Sequence, residues 1–398
     1  MNNNPNLSLY IHVPFCRRKC RYCAFYSEDK GLERMDSWVA ALQQEIRLYR
    51  DLLAGYTSLR TLYMGGGSPN LLHPSYFRSI RETLAETISL DALQEFTVEI
   101  NPGETSFALL QGLVDSGVTR ISVGCQSLDD RELRFLGRIH DSAQCRQTLE
   151  QLRGLPLQAI SADLIYGIPG QKLAVWEDSL RAIADLPVQH LSLYALSYEK
   201  GTPLERQLRE GEIAAMEEDR EWEFYARAHA VLNEVGFEQY EISNWARPGF
   251  RSRHNSAYWE GSDYLGLGPS AHSYIRGERW WNVSEVDRYL QQLADRQLPV
   301  DKREKLNAAN RLDESILLRL RTDEGLSKTR YEEITQRSFA DFLDAIRARF
   351  GEGFFRDYAY IRNDSLHLTL KGWFVSDYLI SRLADLAGGW IHDRPQSG

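Results

Sequence analysis

Apolar and polar positions along the chain follow two alternating periods. Residues 7–13 form a short, β-rich apolar run stopped by Pro14. Residues 36–53 then place Trp38, Leu42, Ile46, Tyr49 and Leu53 at spacings of three and four, which predicts an amphipathic helix with Asp36 as its cap. The succession repeats, with strands predicted over 59–64, 95–100, 120–125, 159–165 and 190–196 and helices over 75–87, 106–116, 142–153 and 176–185. Six strands alternating with helices over about 190 residues imply parallel strands joined by right-handed crossovers. Six units are too few for an eight-stranded barrel. The expected fold class is therefore α/β, a partial (β/α)6 barrel left open.

Glycine and polar punctuation falls just after each predicted strand: the cysteine-rich loop, Gly65-Gly66-Gly67-Ser68-Pro69, Asn101-Pro102-Gly103, Gln126 and Gly167-Ile168-Pro169-Gly170. In α/β barrels that end of the strands carries the active site. The cysteine loop, the glycine turn, Glu99, Gln126 and Asp163 are therefore expected on one rim. A long amphipathic helix follows at 216–234. Residues 236–274 mix aromatics, glycines, His254 and His272 with little periodicity, which reads as ordered loops and short strands lining something. A short helix is expected at 284–292. From about residue 306 the character changes to helices at 314–320, 339–350 and 375–386 and a hairpin around Asn363-Asp364. The domain expectation is a core at 1–240, a linking region at 241–305 and a small C-terminal α+β domain at 306–390, winged-helix-like and packed on the barrel.

Composition narrows the function classes. The 398 residues are 43% hydrophobic and 26% charged, ordinary for a globular protein. A net charge of −9 argues against nucleic-acid binding, which wants a basic face. Five cysteines, three of them clustered, suit a reducing cytoplasm better than a disulfide framework. The N-terminus MNNNPNLSL lacks a charged segment followed by an apolar one, and no run approaches ~18 apolar residues. Those features point to a cytoplasmic protein and leave peripheral membrane contact and a homodimer open.

The chemistry begins with Cys16, Cys20 and Cys23, in a C-x3-C-x2-C spacing. Three thiolates that close can ligate three irons of a cubane [4Fe–4S] cluster and leave the fourth iron open. A zinc knuckle is the competing reading, but it usually brings a second Cys/His pair, and Cys125 and Cys145 are distant and isolated. Three buried structural cysteines are another, opposed by Arg17, Arg18, Lys19 and Arg21, which make the loop electropositive and favour thiolates. Glu99 and Asp163 also read as loop caps when taken singly, Arg138 as a surface charge and Gly65–Gly67 as a plain turn.

In combination these features resemble the radical S-adenosylmethionine (SAM) superfamily. In that family the open iron chelates the amino and carboxylate groups of SAM, and reduction of the cluster cleaves SAM to a carbon radical. YIHVPFC, GGGSPN, EFTVEINPGE, GVTRISVGCQSLDDRELRFLGRIH and SADLIYGIPGQ resemble the branch that holds oxygen-independent coproporphyrinogen dehydrogenases (HemN) and their relatives, over nearly the whole chain. The resemblance implies SAM contacts at Tyr10, Gly66, Gly67, Ser68, Glu99, Gln126, Arg138 and Asp163, with Tyr22 beside the adenine. HemN-type dehydrogenases carry a further cysteine two positions after the third ligand; here that position is Phe25, and only nine residues precede Tyr10. The chain instead has His254-Asn255-x-x-Tyr258-Trp259, similar to the H-N-x-x-Y-W signature of HemW-type haem chaperones. That similarity implies haem as cargo, acceptor haemoproteins as partners and haem contact near His254, where imidazole could ligate iron and Tyr258 and Trp259 could pack on the ring. The bland reading of His254 is a hydrogen-bonded structural histidine. The alternatives are coproporphyrinogen decarboxylation and another haem-acting radical-SAM enzyme.

Overall fold

The computed structural model describes residues 6–392. Six parallel strands form its centre: β1 (Asn6–Val13), β2 (Ser58–Gly66), β3 (Glu95–Ile100), β4 (Arg120–Gln126), β5 (Ala159–Tyr166) and β6 (His190–Ala195). They pair in chain order, each parallel to the next, with helices in the crossovers. The expected α/β class and the six βα units are both present. The expected helix over 36–53 is two pieces, Met35–Leu48 and Arg50–Leu53, separated at Tyr49.

The sheet continues beyond these six strands on both sides. On one side the short strands β7 (Glu238–Glu241) and β8 (Asn244–Ala246) join β6, with β8 antiparallel to it. On the other, β9 (Tyr264–Leu267) lies parallel to β1 and leads to β10 (His272–Ile275), β11 (Glu278–Asn282) and β12 (Val300–Lys305). The twelve-stranded sheet runs β12-β11-β10-β9-β1-β2-β3-β4-β5-β6-β8-β7 and stays open, with β12 and β7 as its edges. The aperiodic stretch at 236–274 thus supplies short strands, as expected, together with an unexpected helix, Arg253–Glu260.

Strand alternation divides the side chains of the sheet. Leu7, Leu9, Ile11 and Val13 of β1 join Trp38, Leu42 and Ile46 of the first helix in one buried apolar cluster. The opposite face is polar, and a first layer of it, Ser8, Thr61, Glu95, Arg120, Ser161 and His190, is buried. Burial of such groups is costly unless they are hydrogen-bonded; here five of them bond within the layer, while His190 Nε2 pairs with Tyr240 Oη at 2.8 Å and its Nδ1 has no partner among the described residues. Thr61 Oγ1 donates to Ser8 Oγ at 2.9 Å, Arg120 Nε to Glu95 Oε2 at 3.0 Å and Arg120 Nη1 to Ser161 Oγ at 3.0 Å.

Glu95 also closes the bottom of the sheet. Its carboxylate accepts from the backbone N–H of Arg253 and of His254, both at 3.0 Å, and from Ser252 Oγ at 3.3 Å. Ser252 is itself the N-cap of helix Arg253–Glu260. A carboxylate there answers both the unpaired N–H groups and the positive end of the helix. Burial alone would raise the Glu95 carboxyl, but Arg120 and the two amides hold it below its ordinary range. A second buried carboxylate, Glu45, accepts from Gly268 N–H at 2.9 Å, Asn282 Nδ2 at 2.6 Å and Tyr289 Oη at 2.6 Å, tying the region after β9 to the first helix.

Residues from Leu312 to Ala387 build a separate core around Tyr331, Phe342 and Leu383. Its hairpin, β14 (Ala359–Arg362) and β15 (Ser365–Leu368), pairs with the short β13 (Leu326–Ser327) and turns at Asn363 and Asp364. Their φ values of 50° and 55° are what a two-residue type I′ turn requires. Phe374 packs edge-on against Trp222 at 5.4 Å, and Ile242 N–H donates to Arg321 O at 3.0 Å, so this unit leans on the sheet beside β7.

Removing one partner of the buried pair strands the other. Glu95→Ala is expected to cost about 3–5 kcal/mol in urea denaturation and to expose the helix at 253–260 to hydrogen exchange. Denaturation within 1 kcal/mol of wild type would show that Glu95 does not pin that helix.

Candidate functional site

Above the satisfied layer the polar face opens into a cavity of about 620 Å³ at the C-terminal ends of the parallel strands. That volume lies in the usual range for small-molecule sites. The site residues singled out from the sequence line this cavity except Tyr10, His254, Tyr258 and Trp259, while Asn255 of the H-N-x-x-Y-W segment does line it.

The cysteine loop forms one wall. It leaves β1 after Val13 and is pinned by Cys16 N–H to Glu28 O at 2.9 Å and Glu28 N–H to Pro14 O at 2.7 Å. Cys16, Cys20 and Cys23 are half-buried and free. Burial pushes the Cys23 thiol up to about 11 and raises Cys16 as well. Metal binding would therefore have to release their protons. No three ligand side chains among the described residues converge on a single-ion site. A cubane has no need of that, because each thiolate takes a different iron.

The glycine turn packs directly beneath the loop. Gly67 N–H donates to Val13 O at 2.8 Å and Ser68 N–H to Phe15 O at 2.7 Å. Gly66 has a φ of 101°, and a Cβ there would meet the His12 ring at 2.4 Å; at Gly67 it would meet Phe15 O at 2.4 Å. Glycine is demanded here by the packing of the loop on β1, in addition to any close approach of a ligand.

Two carboxylates face the thiols. Glu99 accepts from Tyr63 Oη at 2.6 Å and from Gly66 N–H at 3.1 Å. Asp163 accepts from Ser122 Oγ at 3.2 Å. Burial raises Glu99, and burial followed by the Glu99 charge raises Asp163 to about 7. Two buried carboxylates with no cation between them form a site that favours an ammonium or hydroxyl donors. Arg138 donates to Cys20 Sγ at 3.2 Å and Gly124 O at 3.0 Å and also binds Asn101 Oδ1. Its Nε–H is buried without a partner, a donor left free for an anionic group. Gln126 holds a φ of 66°, rare for a non-glycine residue, at a register shift between β4 and β5 that re-aims the strand end. Tyr22 packs on a small cluster with Leu136, Ile165 and Leu196. These residues fit an iron–sulfur cluster beside a zwitterionic nucleoside.

Tyr10 and His254 sit elsewhere. Tyr10 Oη pairs with His12 Nδ1 at 3.1 Å. His254, 1% exposed, has both ring nitrogens engaged, Nδ1 with Thr61 Oγ1 at 2.8 Å and Nε2 with Tyr258 Oη at 2.9 Å. Its ring stacks on Tyr63 at 4.9 Å, and burial lowers it to about 4. In this arrangement the imidazole cannot take iron without giving up Thr61 or Tyr258.

Two residues escaped the sequence reading. Tyr63 holds Glu99, and its signal was the alternation Thr61, Tyr63, Gly65 along β2. Asn101 bridges Arg138 and Ser68 Oγ, the latter at 2.7 Å, and sits at a strand end already marked as punctuation. Cys125 and Cys145 are buried in the core, off the cavity wall.

Residues 10–183 match the family model of the radical SAM superfamily. The chain is 31% identical to "Heme chaperone HemW" of Lactococcus lactis over 96% of this chain and 98% of that one. It is 35% identical to the protein of the same name from Mycobacterium tuberculosis over 94% of each. "Radical S-adenosyl methionine domain-containing protein 1, mitochondrial" of Mus musculus is 32% identical over 98% of this chain and 90% of that one. Among solved structures, the coproporphyrinogen III oxidase HemN of Escherichia coli superposes with a TM-score of 0.82 at 23% identity, over 98% of this chain and 92% of that one. At that identity the likeness speaks for the fold.

The Asp163 shift has a measurable consequence. A carboxyl raised in the folded state stabilises the fold fully below its unfolded pKa, and that contribution is lost as pH rises to about 7. Wild type is therefore expected to lose more denaturation midpoint between pH 5 and 8 than Asp163→Asn. Parallel pH profiles of the two proteins would refute it.

Proposed function

The chain belongs to the radical SAM superfamily, in the branch of HemN and HemW, and on that premise we propose that it is a haem chaperone of a reducing cytoplasm, binding haem and passing it to acceptor haemoproteins. The observation that carries this reading is Phe25. It stands 67% exposed on the cavity wall, at the position where the resemblance puts a cysteine in coproporphyrinogen dehydrogenases. The relatives named for haem delivery, matched over almost their whole length, support the same choice.

Cys16, Cys20 and Cys23, all on the cavity wall, would hold three irons of a [4Fe–4S] cluster and leave the fourth without a protein ligand from this loop. When bound, the cluster supplies an open Lewis-acid iron and a single electron for SAM. The protein's own part is to bind and orient. Glu99, fixed by Tyr63 and Gly66, would accept an N–H from the SAM amino group. Arg138 offers its free Nε–H to the carboxylate, and Asp163 accepts from ribose hydroxyls. Gln126 pairs with a polar edge, Ser68 stands beside Cys16, and Tyr22 lies toward the adenine. Tyr10 and His254 act from behind the wall. The H-N-x-x-Y-W segment is held by Glu95, lines the cavity with Asn255 and backs Tyr63 through the His254 ring, so the contribution of His254 to haem binding is indirect.

Two measurements test this. Replacing Cys16, Cys20 or Cys23 by serine is expected to abolish the iron–sulfur absorbance of the anaerobically reconstituted protein; a full cluster in the triple variant would refute the assignment. Haem-loaded protein is expected to convert an apo-haemoprotein to its holo form, and the reconstituted protein with SAM to yield no protoporphyrinogen IX from coproporphyrinogen III. Appreciable turnover of that porphyrinogen would overturn the chaperone reading.

A further inference from the structure

Only a few large apolar side chains are exposed among the described residues, and they are not spread evenly. Of eight such side chains, Phe25 (67%), Ile139 (48%) and Tyr194 (45%) line the same cavity. Single exposed apolar side chains are ordinary, but several gathered on one polar-rimmed cavity mark a ligand or partner surface. Phe25 follows the last cysteine on one wall, and Ile139 follows Arg138 on another. The wall bearing Phe25 also carries Arg18 and Lys19, both exposed and neither in a salt bridge, whereas neighbouring Arg17 is paired with Glu104 at 3.1 Å. In a chain of net charge −9, two cations without a salt bridge among the described residues, on the same loop as exposed Phe25, are a local reversal of the surface.

Building on the chaperone reading, we propose that the cargo haem sits at the mouth of this cavity, its ring face on Phe25 and Ile139 and its two propionates toward Arg18 and Lys19. The chemistry selects a flat, apolar, dianionic macrocycle. Apolar side chains take the ring by area burial, and exposed cations take carboxylates in high dielectric, where each bond is weak. A cargo that has to be handed on suits such a seat better than a buried iron bond. His254 is poorly placed as the alternative, because both its nitrogens are occupied and it is off the cavity wall. The seat recognises ring and carboxylates, so metal-free protoporphyrin IX should bind there nearly as well as haem.

The test is a haem titration, followed by absorbance, on full-length protein. Phe25→Ser/Ile139→Ser is expected to weaken binding by about tenfold or more. Arg18→Glu/Lys19→Glu is expected to weaken it and to remove its dependence on salt. Phe107→Ser and Tyr378→Ser alter exposed aromatics off the cavity wall and should change nothing. Cluster iron content and the urea midpoint report folding of each variant. Equal loss in the Phe107 and Tyr378 variants would mean non-specific adsorption and overturn the seat. Unchanged binding in both mouth variants, with loss in His254→Ala, would move the haem to the H-N-x-x-Y-W segment and leave the chaperone reading intact. No haem binding by wild type would remove both.

Discussion

A parallel sheet with a polar inner face is under one governing constraint: each buried donor and acceptor on that face must find a partner. The protein meets it in two layers. In the lower layer the partners are internal, and the Glu95–Arg120 pair is its centre. That pair consumes one strand's carboxylate, the next strand's guanidinium, a serine two strands away and the first amides of a helix more than a hundred and fifty residues downstream. In the upper layer the partners run out. Glu99 and Asp163 have hydroxyls and an amide but no cation, and Arg138 keeps a buried N–H with nothing to give it to. The floor is paired almost throughout, His190 Nδ1 excepted, and the layer above it keeps polar groups turned to the cavity, although the strands are the same.

This division explains what the sequence disclosed. The βα alternation is local and periodic, so β1 to β6 and the rim residues at their ends were legible. The Asn363-Asp364 hairpin was legible for the same reason, since a two-residue turn carries its own signal. Helix Arg253–Glu260 was not, because eight residues are too few for a periodic signal; Ser252 caps its third amide, and the first two go to Glu95 from β3. Short helices such as Asp130–Leu136 and Pro203–Arg209 also escaped, being too brief for a periodic signal although Asp129 and Thr202 cap them. Position on a strand end marks which residues face the cavity, but it does not say how deep they sit. Tyr10, three residues before the end of β1, therefore turned to His12 rather than to the cavity.

In the H-N-x-x-Y-W segment Asn255 lines the cavity while His254 packs behind its wall. His254 is fixed at both nitrogens and stacked on Tyr63, and Tyr63 in turn fixes Glu99. The imidazole thereby backs the tyrosine that holds Glu99. Phe25 is the opposite case: a side chain with no ligating atom, two places after Cys23, whose exposure gives it meaning.

A sheet that never closes leaves two raw edges, and each invites another chain to add a strand. β7 is only four residues long, and Glu241 bridges to Thr322 of the C-terminal unit, which blocks its free side. β12 is longer and almost wholly exposed, but it reads Val300-Asp301-Lys302-Arg303-Glu304-Lys305. A foreign strand docking there would have to seat its side chains among densely packed charges of both signs and strip their water. The open architecture that gives the cavity its access is thus kept from becoming a route to fibrous self-association.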